Sequence, residues 1–270
     1  VDEASRFYQR CDTKLNESLL VRARDAALRV GVPTQFCLLQ DVLDGHAAPA
    51  SVYLFVNAFH LHAEDRDHLH NIMIANGSAA IWLYAPGFLS EKADVQNIVE
   101  TTGLKVSAFD KPALAGSSYQ LSSGRWMKKG DEFGRSEKWS PLFYVNVAES
   151  KVLAKYRDSG KPSVGVEFFD DGWASILIAE PGLTADLLRE ILLILENYVV
   201  FRKSTLDHKD TAYFGPDLFA LHASVDGEHP IYFSEAVDAQ DVLDSKVGWL
   251  NKLYIPIPIK LGYTRILRLN

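Results

Sequence analysis

The stretch Ala79–Phe88, AAIWLYAPGF, is an apolar run that stops at a Pro-Gly pair. Six apolar or aromatic residues in a row, ended by a turn signal, predict a strand buried on both faces, as inside a parallel sheet. In open α/β sheets the turn after such a strand is where ligands and catalytic groups gather. Here that turn holds Ala85, Pro86 and Gly87, with no nucleophile, acid or phosphate-binding loop.

The flanking segments extend the pattern. SVYLFVNAF (51–59) reads as a second apolar strand, and AEDRDHLHNIMIAN (63–76) as a helix. Glu64 and Asp65 suit the positive end of that helix dipole, and Gly77 supplies its C-terminal cap. Further on, Ser90 is placed to cap EKADVQNIVETT (91–102), Gly103 closes that helix, and LKVSAF (104–109) is another strand. Before them, LLVRARDAALRV (19–30) has helical spacing ended by Gly31, and TQFCLL (34–39) reads as a strand. Strands alternating with helices imply a mainly parallel sheet covered on both faces. Residues from about 111 to 141 lack a period and read as an irregular excursion. Then follow the strand PLFYVNV (141–147) and the helix AESKVLAKYR (148–157). PSVGVEFF (162–169) and WASILIAE (173–180) form a hairpin about Asp170-Asp171-Gly172. TADLLREILLILENYVVF (184–201) is an apolar helix running into a short strand.

After residue 203 the pattern changes. DLFALHAS (217–224), HPIYFSE (229–235), LYIPIPI (253–259) and TRILRL (264–269) are short strands with no helix between them. Prolines alternating with isoleucines suit an edge strand. The expected organisation is an α/β domain over 1–203 and a small antiparallel β domain over 204–270.

Among the 270 residues, 47% are hydrophobic and 23% charged, as in ordinary globular chains. A net charge of -7 argues against a nucleic-acid partner, because phosphate binding needs a basic face, and the densest basic spot is only Lys128-Lys129. No apolar run is long enough to span a bilayer, so no membrane partner is expected. The chain opens on Val1 without an initiator Met, as though cut from a larger protein. Cys11 and Cys37 are too few for a disulfide framework and leave the compartment open.

His60 and His62 in FHLHAEDRDHLH (59–70) are the sharpest candidates for chemistry. His-x-His after a strand can offer two imidazoles to zinc, with Asp65 and Asp67 as carboxylates. Against a metal site, His68 and His70 stand two apart on a helix and point in different directions. A nucleophile elbow of the Gly-x-Ser-x-Gly type is missing from the strand ends. Of the carboxylate pairs, Asp170-Asp171 serves the hairpin and Glu64-Asp65 the helix start, which leaves Asp2-Glu3 as a candidate for binding. Tyr119, Trp126 and Trp139 lie among polar residues; their flat faces suit an interface, a sugar or packing within the loop. No cofactor is expected.

Several segments together resemble a known module: VDEASRFY, ALRVGVPTQFCLLQDVLDG, VYLFVNAFHLHAEDRDHL, AAIWLYAPGF, PLFYVNVAESKVLAKYRDSGKPSVGVEF and LFALHASVDGEHPIYF. Their order resembles the class I glutamine-amidotransferase-like trimerisation domain that follows the catalytic barrel in bacterial β-galactosidases of glycoside hydrolase family 42. The resemblance implies a flavodoxin-like three-layer sandwich with no catalytic triad and a small C-terminal β domain. Val1-Asp2-Glu3 is then the end of a central strand. The glycosidase acid and nucleophile lie in an upstream barrel of the same polypeptide, and the module supports homo-oligomers and shapes the mouth of a neighbouring active site. The compartment is that of the parent enzyme, cytoplasmic or exported. Two alternatives stay open: a carbohydrate-binding module using the loop aromatics, and a metal-dependent hydrolase at His60 and His62. The chain departs from the family pattern at His60 and His62, where Tyr and a Thr or Ser cap are usual. It departs again at ENYVVF (196–201), where Gly-Val-His is common.

Overall fold

The computed structural model describes residues 1–8, 14–197, 199–201 and 209–270. The chain divides into two compact units, Val1–Ala23 with Phe36–Thr184, and Arg24–Gln35 with Ala185–Asn270. The expected boundary after residue 203 lies outside the described residues. No described helix is long and apolar enough to cross a membrane.

The first unit is built on strands β1 (Val52–Phe55), β2 (Ala79–Leu83), β3 (Val106–Ala108), β4 (Ala113–Leu114), β5 (Ser117–Tyr119) and β6 (Glu132–Phe133). They are followed by β7 (Lys138–Trp139), β8 (Phe143–Val145), β9 (Val152–Tyr156), β10 (Pro162–Phe168) and β11 (Ala174–Ile178). Its seven-stranded sheet has the order β1-β2-β11-β10-β9-β5-β6. β2 lies parallel to both β1 and β11, with Ile81 opposite Leu54 on one side and Ile176 on the other. All five residues of β2 are buried, as its uninterrupted apolar run requires. The Trp82 indole N–H donates to Ser175 Oγ at 3.1 Å, which satisfies its polar atom inside the core.

The remaining pairings, β11-β10, β10-β9, β9-β5 and β5-β6, are antiparallel, so the sheet is mixed and not mainly parallel as expected. Two segments explain the difference. AESKVLAKYR, expected to be a helix, is a short 3-10 turn (Glu149–Lys151) followed by β9, whose apolar residues are held by strands on both sides. Strand pairing overrides a helical propensity that is weak at Val152 and Tyr156. The excursion expected over 111–141 supplies β5 and β6, which carry the sheet further in the antiparallel sense. LKVSAF does form β3, but β3 pairs with β8 in a separate two-stranded sheet.

Helices are α1 (Ala23–Arg29), which continues a π-helical turn over Glu17–Arg22, and α2 (Leu39–Leu43), α3 (Ala63–Asn76), α4 (Val95–Thr102) and α5 (Ala185–Ile194). TQFCLL is not a strand: its end leads into α2, where Asp41 accepts the Leu38 N–H at 3.1 Å as an N-terminal cap. α3 has its expected bounds and ends on Gly77 in the left-handed region. α4 begins after Asp94, whose side chain accepts the Gln96 N–H at 2.9 Å, and not after Ser90.

The second unit carries α5 and strands β12 (Thr211–Phe214), β13 (Leu218–His222), β14 (Gly227–Asp241), β15 (Gly248–Ile259) and β16 (Thr264–Leu269). They form an antiparallel sheet ordered β12-β13-β16-β14-β15 around buried Phe219, Leu221, Ile231, Ile255, Ile257 and Leu267. β15 with its prolines is an edge strand, as the missing N–H groups demand.

Candidate functional site

Just past the carboxyl ends of the parallel strands stand three polar residues: Asn57 after β1, Tyr84 after β2 and Glu180 after β11. Tyr84 has φ 66°, a left-handed conformation that costs a non-glycine residue about 1–3 kcal/mol and marks functional turns. Its chemistry here is closed off. The ring is buried against the edges of Phe59, Trp139 and Phe143, with centroids 6.0, 6.1 and 5.8 Å away. The hydroxyl donates to the Pro141 carbonyl at 2.5 Å, and burial pushes its pKa well up. A neutral, capped phenol is neither base nor nucleophile.

Glu180 is fully buried. Its Oε1 accepts the Arg135 N–H at 3.0 Å, whereas Oε2 meets no protein partner among the described residues. Burial pushes its carboxyl pKa well above the ordinary range, against a weaker downward pull from the Arg135 N–H and from the charges of Arg135 and Arg157. Burial therefore favours the protonated form of this group. Gly134 (φ 84°) presses on it so closely that a Cβ there would lie 2.4 Å from Glu180 Cδ. Tyr156, buried beside it, donates its hydroxyl to the Phe143 carbonyl at 2.8 Å; its pKa is raised by burial first and then by Glu180 and Tyr84. On the solvent side of Gly134 lies a polar cleft of about 310 Å³ lined also by Lys14, Glu17, Arg22, Arg135, Ser136 and Glu137. Its charges are mutually paired, Lys14 with Glu137, Arg22 with Glu17 and Arg135 with Glu137.

The residues singled out in the sequence occupy different surroundings. Asp2 is buried and works as a cap: its carboxylate accepts the N–H of Ala4 at 3.0 Å and of Ser5 at 3.2 Å, together with the Ser5 hydroxyl. Ser5 Oγ in turn accepts the N–H groups of Phe59 and His60 at 2.9 and 2.8 Å. Asn57 holds the Asp2 backbone from both sides, donating to its carbonyl at 2.7 Å and accepting its N–H at 2.8 Å. Residues 1–3 lie outside any strand, and Glu3 is exposed. The His60 ring stacks on Tyr8 at 4.7 Å and meets His62 edge-on at 4.7 Å. His62 is the N-cap of α3, and no cluster of three or more His, Cys, Asp or Glu suited to a metal occurs among the described residues. Tyr119 and Trp126 are buried. Trp139 is half-buried, with its indole N–H inside and the Arg135 guanidinium 5.7 Å over its ring. Of the candidates, Trp139 alone is brought against Tyr84; Asp2 joins Asn57 and the His60 backbone.

Asn57, Tyr84 and Glu180 were not singled out, because Asn57 and Tyr84 fall inside apolar runs read as strand and Glu180 reads as the polar end of one. A signal was present in LYAPG and IAEPG, where two neighbouring strands end with a polar residue within two positions of a Pro-Gly pair. In a parallel pair those stops fall side by side at the ligand edge.

No protein-family model and no curated protein matches the chain. Among solved structures its fold is similar to part of the β-galactosidase from Bacillus circulans sp. alkalophilus, with TM-score 0.61 and 14% identity over 92% of this chain and 37% of that one. The β-galactosidase from the Antarctic haloarchaeon Halorubrum lacusprofundi gives TM-score 0.58 and 10% identity, covering 94% of this chain and 35% of the other. That from the psychrophilic Marinomonas ef1 gives 0.52 and 11%, covering 93% and 33%. At these identities the likeness is one of fold. The chain spans 33–37% of the length of these much larger β-galactosidase chains.

Proposed function

We propose that this chain is a non-catalytic accessory domain of a β-galactosidase-like glycoside hydrolase, of the class I glutamine-amidotransferase-like, trimerisation type. The observation that carries the reading is the match of more than nine-tenths of the chain to about a third of each β-galactosidase chain. Two features of the site support it. The end of β2 holds Tyr84 in a left-handed conformation, buried and hydrogen-bonded, in place of a reactive group. The carboxylates of this edge are engaged in structure, since Asp2 caps a turn and Glu180 is buried under Gly134. The parallel group β1-β2-β11, with α3 and α4 following β1 and β2 in the chain, supports a flavodoxin-like ancestry for the first unit. In this reading the catalytic carboxylates belong to a barrel of the same polypeptide, and the domain packs against that barrel and supports oligomer formation.

The test uses the purified chain with nitrophenyl β-galactoside. No turnover is expected, and a rate above the uncatalysed one that is lost in Glu180→Gln overturns the reading. In a polypeptide carrying both barrel and domain, deletion of the domain is expected to lower the oligomer mass in light scattering.

A further inference from the structure

A second cluster of reactive groups lies on the two-stranded sheet of β3 and β8. Ser107 on β3 stands directly opposite Tyr144 on β8. The ammonium of Lys161, just before β10, sits 3.7 Å from the centre of the Tyr144 ring and 4.9 Å from that of Phe109. Phe109 meets Tyr144 edge-on at 5.2 Å and walls one side. Asn146 donates its side-chain N–H to Ser107 Oγ at 2.9 Å. The Ser107 hydroxyl keeps its own proton to donate, and Tyr144 is the side chain across the strand pair from it.

Each contact favours the same charge state. A cation against the ring face and a hydroxyl donor near the oxygen both stabilise a phenolate more than a phenol. Interaction with Lys161 first, and with Ser107 second, pulls the Tyr144 pKa down, with burial and then exposed Asp110 opposing. Tyr144 is also half-open to solvent, unlike the sealed Tyr84 and Tyr156.

We propose that Tyr144 is a nucleophilic tyrosine, a covalent modification site for electrophilic sulfonyl and acyl donors, activated by Lys161 and Ser107. With a sulfonyl fluoride the phenol oxygen bonds to sulfur, the S–F bond breaks, fluoride leaves, and the phenol proton goes to solvent. Lys161 acts as a positioning residue.

Benzenesulfonyl fluoride is the probe, with the whole chain treated at neutral pH and the modified peptides mapped by mass spectrometry. Tyr144 is expected to react severalfold faster than Tyr263, Tyr8 and Tyr213, which are more exposed at 66%, 57% and 50%. Lys161→Met should bring its rate down to theirs, and Ser107→Ala should slow it less. Reaction of Tyr144 no faster than Tyr263, or an unchanged rate in a folded Lys161→Met, overturns the proposal. A second readout needs no Lys161 variant: phenolate absorbance of the wild type minus that of Tyr144→Phe should titrate below 10.0, the ordinary tyrosine value. A difference titrating at or above that value also overturns it.

Discussion

Glu180 shows how one buried side chain sets a pH dependence for the molecule. Its pKa in the folded chain lies well above the ordinary glutamate value of 4.5, so between the two values the folded state binds more protons than the unfolded state. Stability from this group is complete below 4.5 and falls as pH rises towards the folded value. Glu180→Gln keeps the shape and the acceptor for the Arg135 N–H but cannot ionise. The variant is expected to unfold at nearly the wild-type temperature near pH 4 and above it near pH 8, the gap opening as the pH passes the ordinary value and Glu180 of the unfolded chain gives up its proton. A gap that is constant with pH contradicts the assignment. The identity of this residue was legible in the sequence only as the end of an apolar run. Asp2 was legible as a carboxylate worth attention, yet its three acceptor contacts arise because Asn57, fifty-five positions later, clamps its backbone. Such pairings depend on tertiary placement, which no local pattern records.

At the level of elements, the Pro86-Gly87 turn fastens the end of β2 to the segment after β1. Gly87 donates to the Ala58 carbonyl at 2.7 Å, and Leu89 to that of Phe59 at 2.9 Å. Gly87 has φ 64°, and a Cβ on it would fall 2.0 Å from Thr101 Oγ1 on α4. Gly87→Ala therefore combines a left-handed alanine with a steric clash, and should cost about 2–3 kcal/mol in urea unfolding. Gly45→Ala is the control: its φ of 72° is similar but its surroundings are open, so backbone strain alone remains. Equal losses at both positions would show that the Thr101 contact does not matter. Elements with strong local signals were read correctly, β2 from its apolar run and α3 from its acidic first turn and Gly77. β9 was not, because Val-Leu-Ala-Lys-Tyr fits either period and is decided by the strands on both sides of it.

At the scale of the molecule, the change from helix-and-strand to strand-only grammar was visible in the sequence, but the path of the chain was not. The second unit is discontinuous: it takes Arg24–Gln35 from early in the chain and Ala185–Asn270 from the end. Arg189 on α5 closes that gap. Its side chain is 1% exposed, with Nη1 paired to Asp186 at 2.7 Å, Nε donating to the Val30 carbonyl at 3.3 Å and Nη2 to that of Arg29. Beside it Val200 donates to the Gly31 carbonyl at 2.9 Å, while the Phe201 ring occupies the space where Gly31 lacks a side chain. The contacts of Arg189 with residues 29 and 30 and of Val200 and Phe201 with Gly31 join residues about 160 to 170 positions apart, so their loss should be felt by the whole unit. Arg189→Met keeps much of the apolar stem but strips the buried Val30 carbonyl and the part-buried Arg29 carbonyl of their donor, and should cost about 2–4 kcal/mol. Arg189→Lys keeps the charge but has no planar fork to reach both carbonyls and Asp186 together. It should recover little of that loss when both variants are unfolded in urea and followed by circular dichroism. Full recovery by Lys would mean that charge, and not the guanidinium geometry, holds the two segments together.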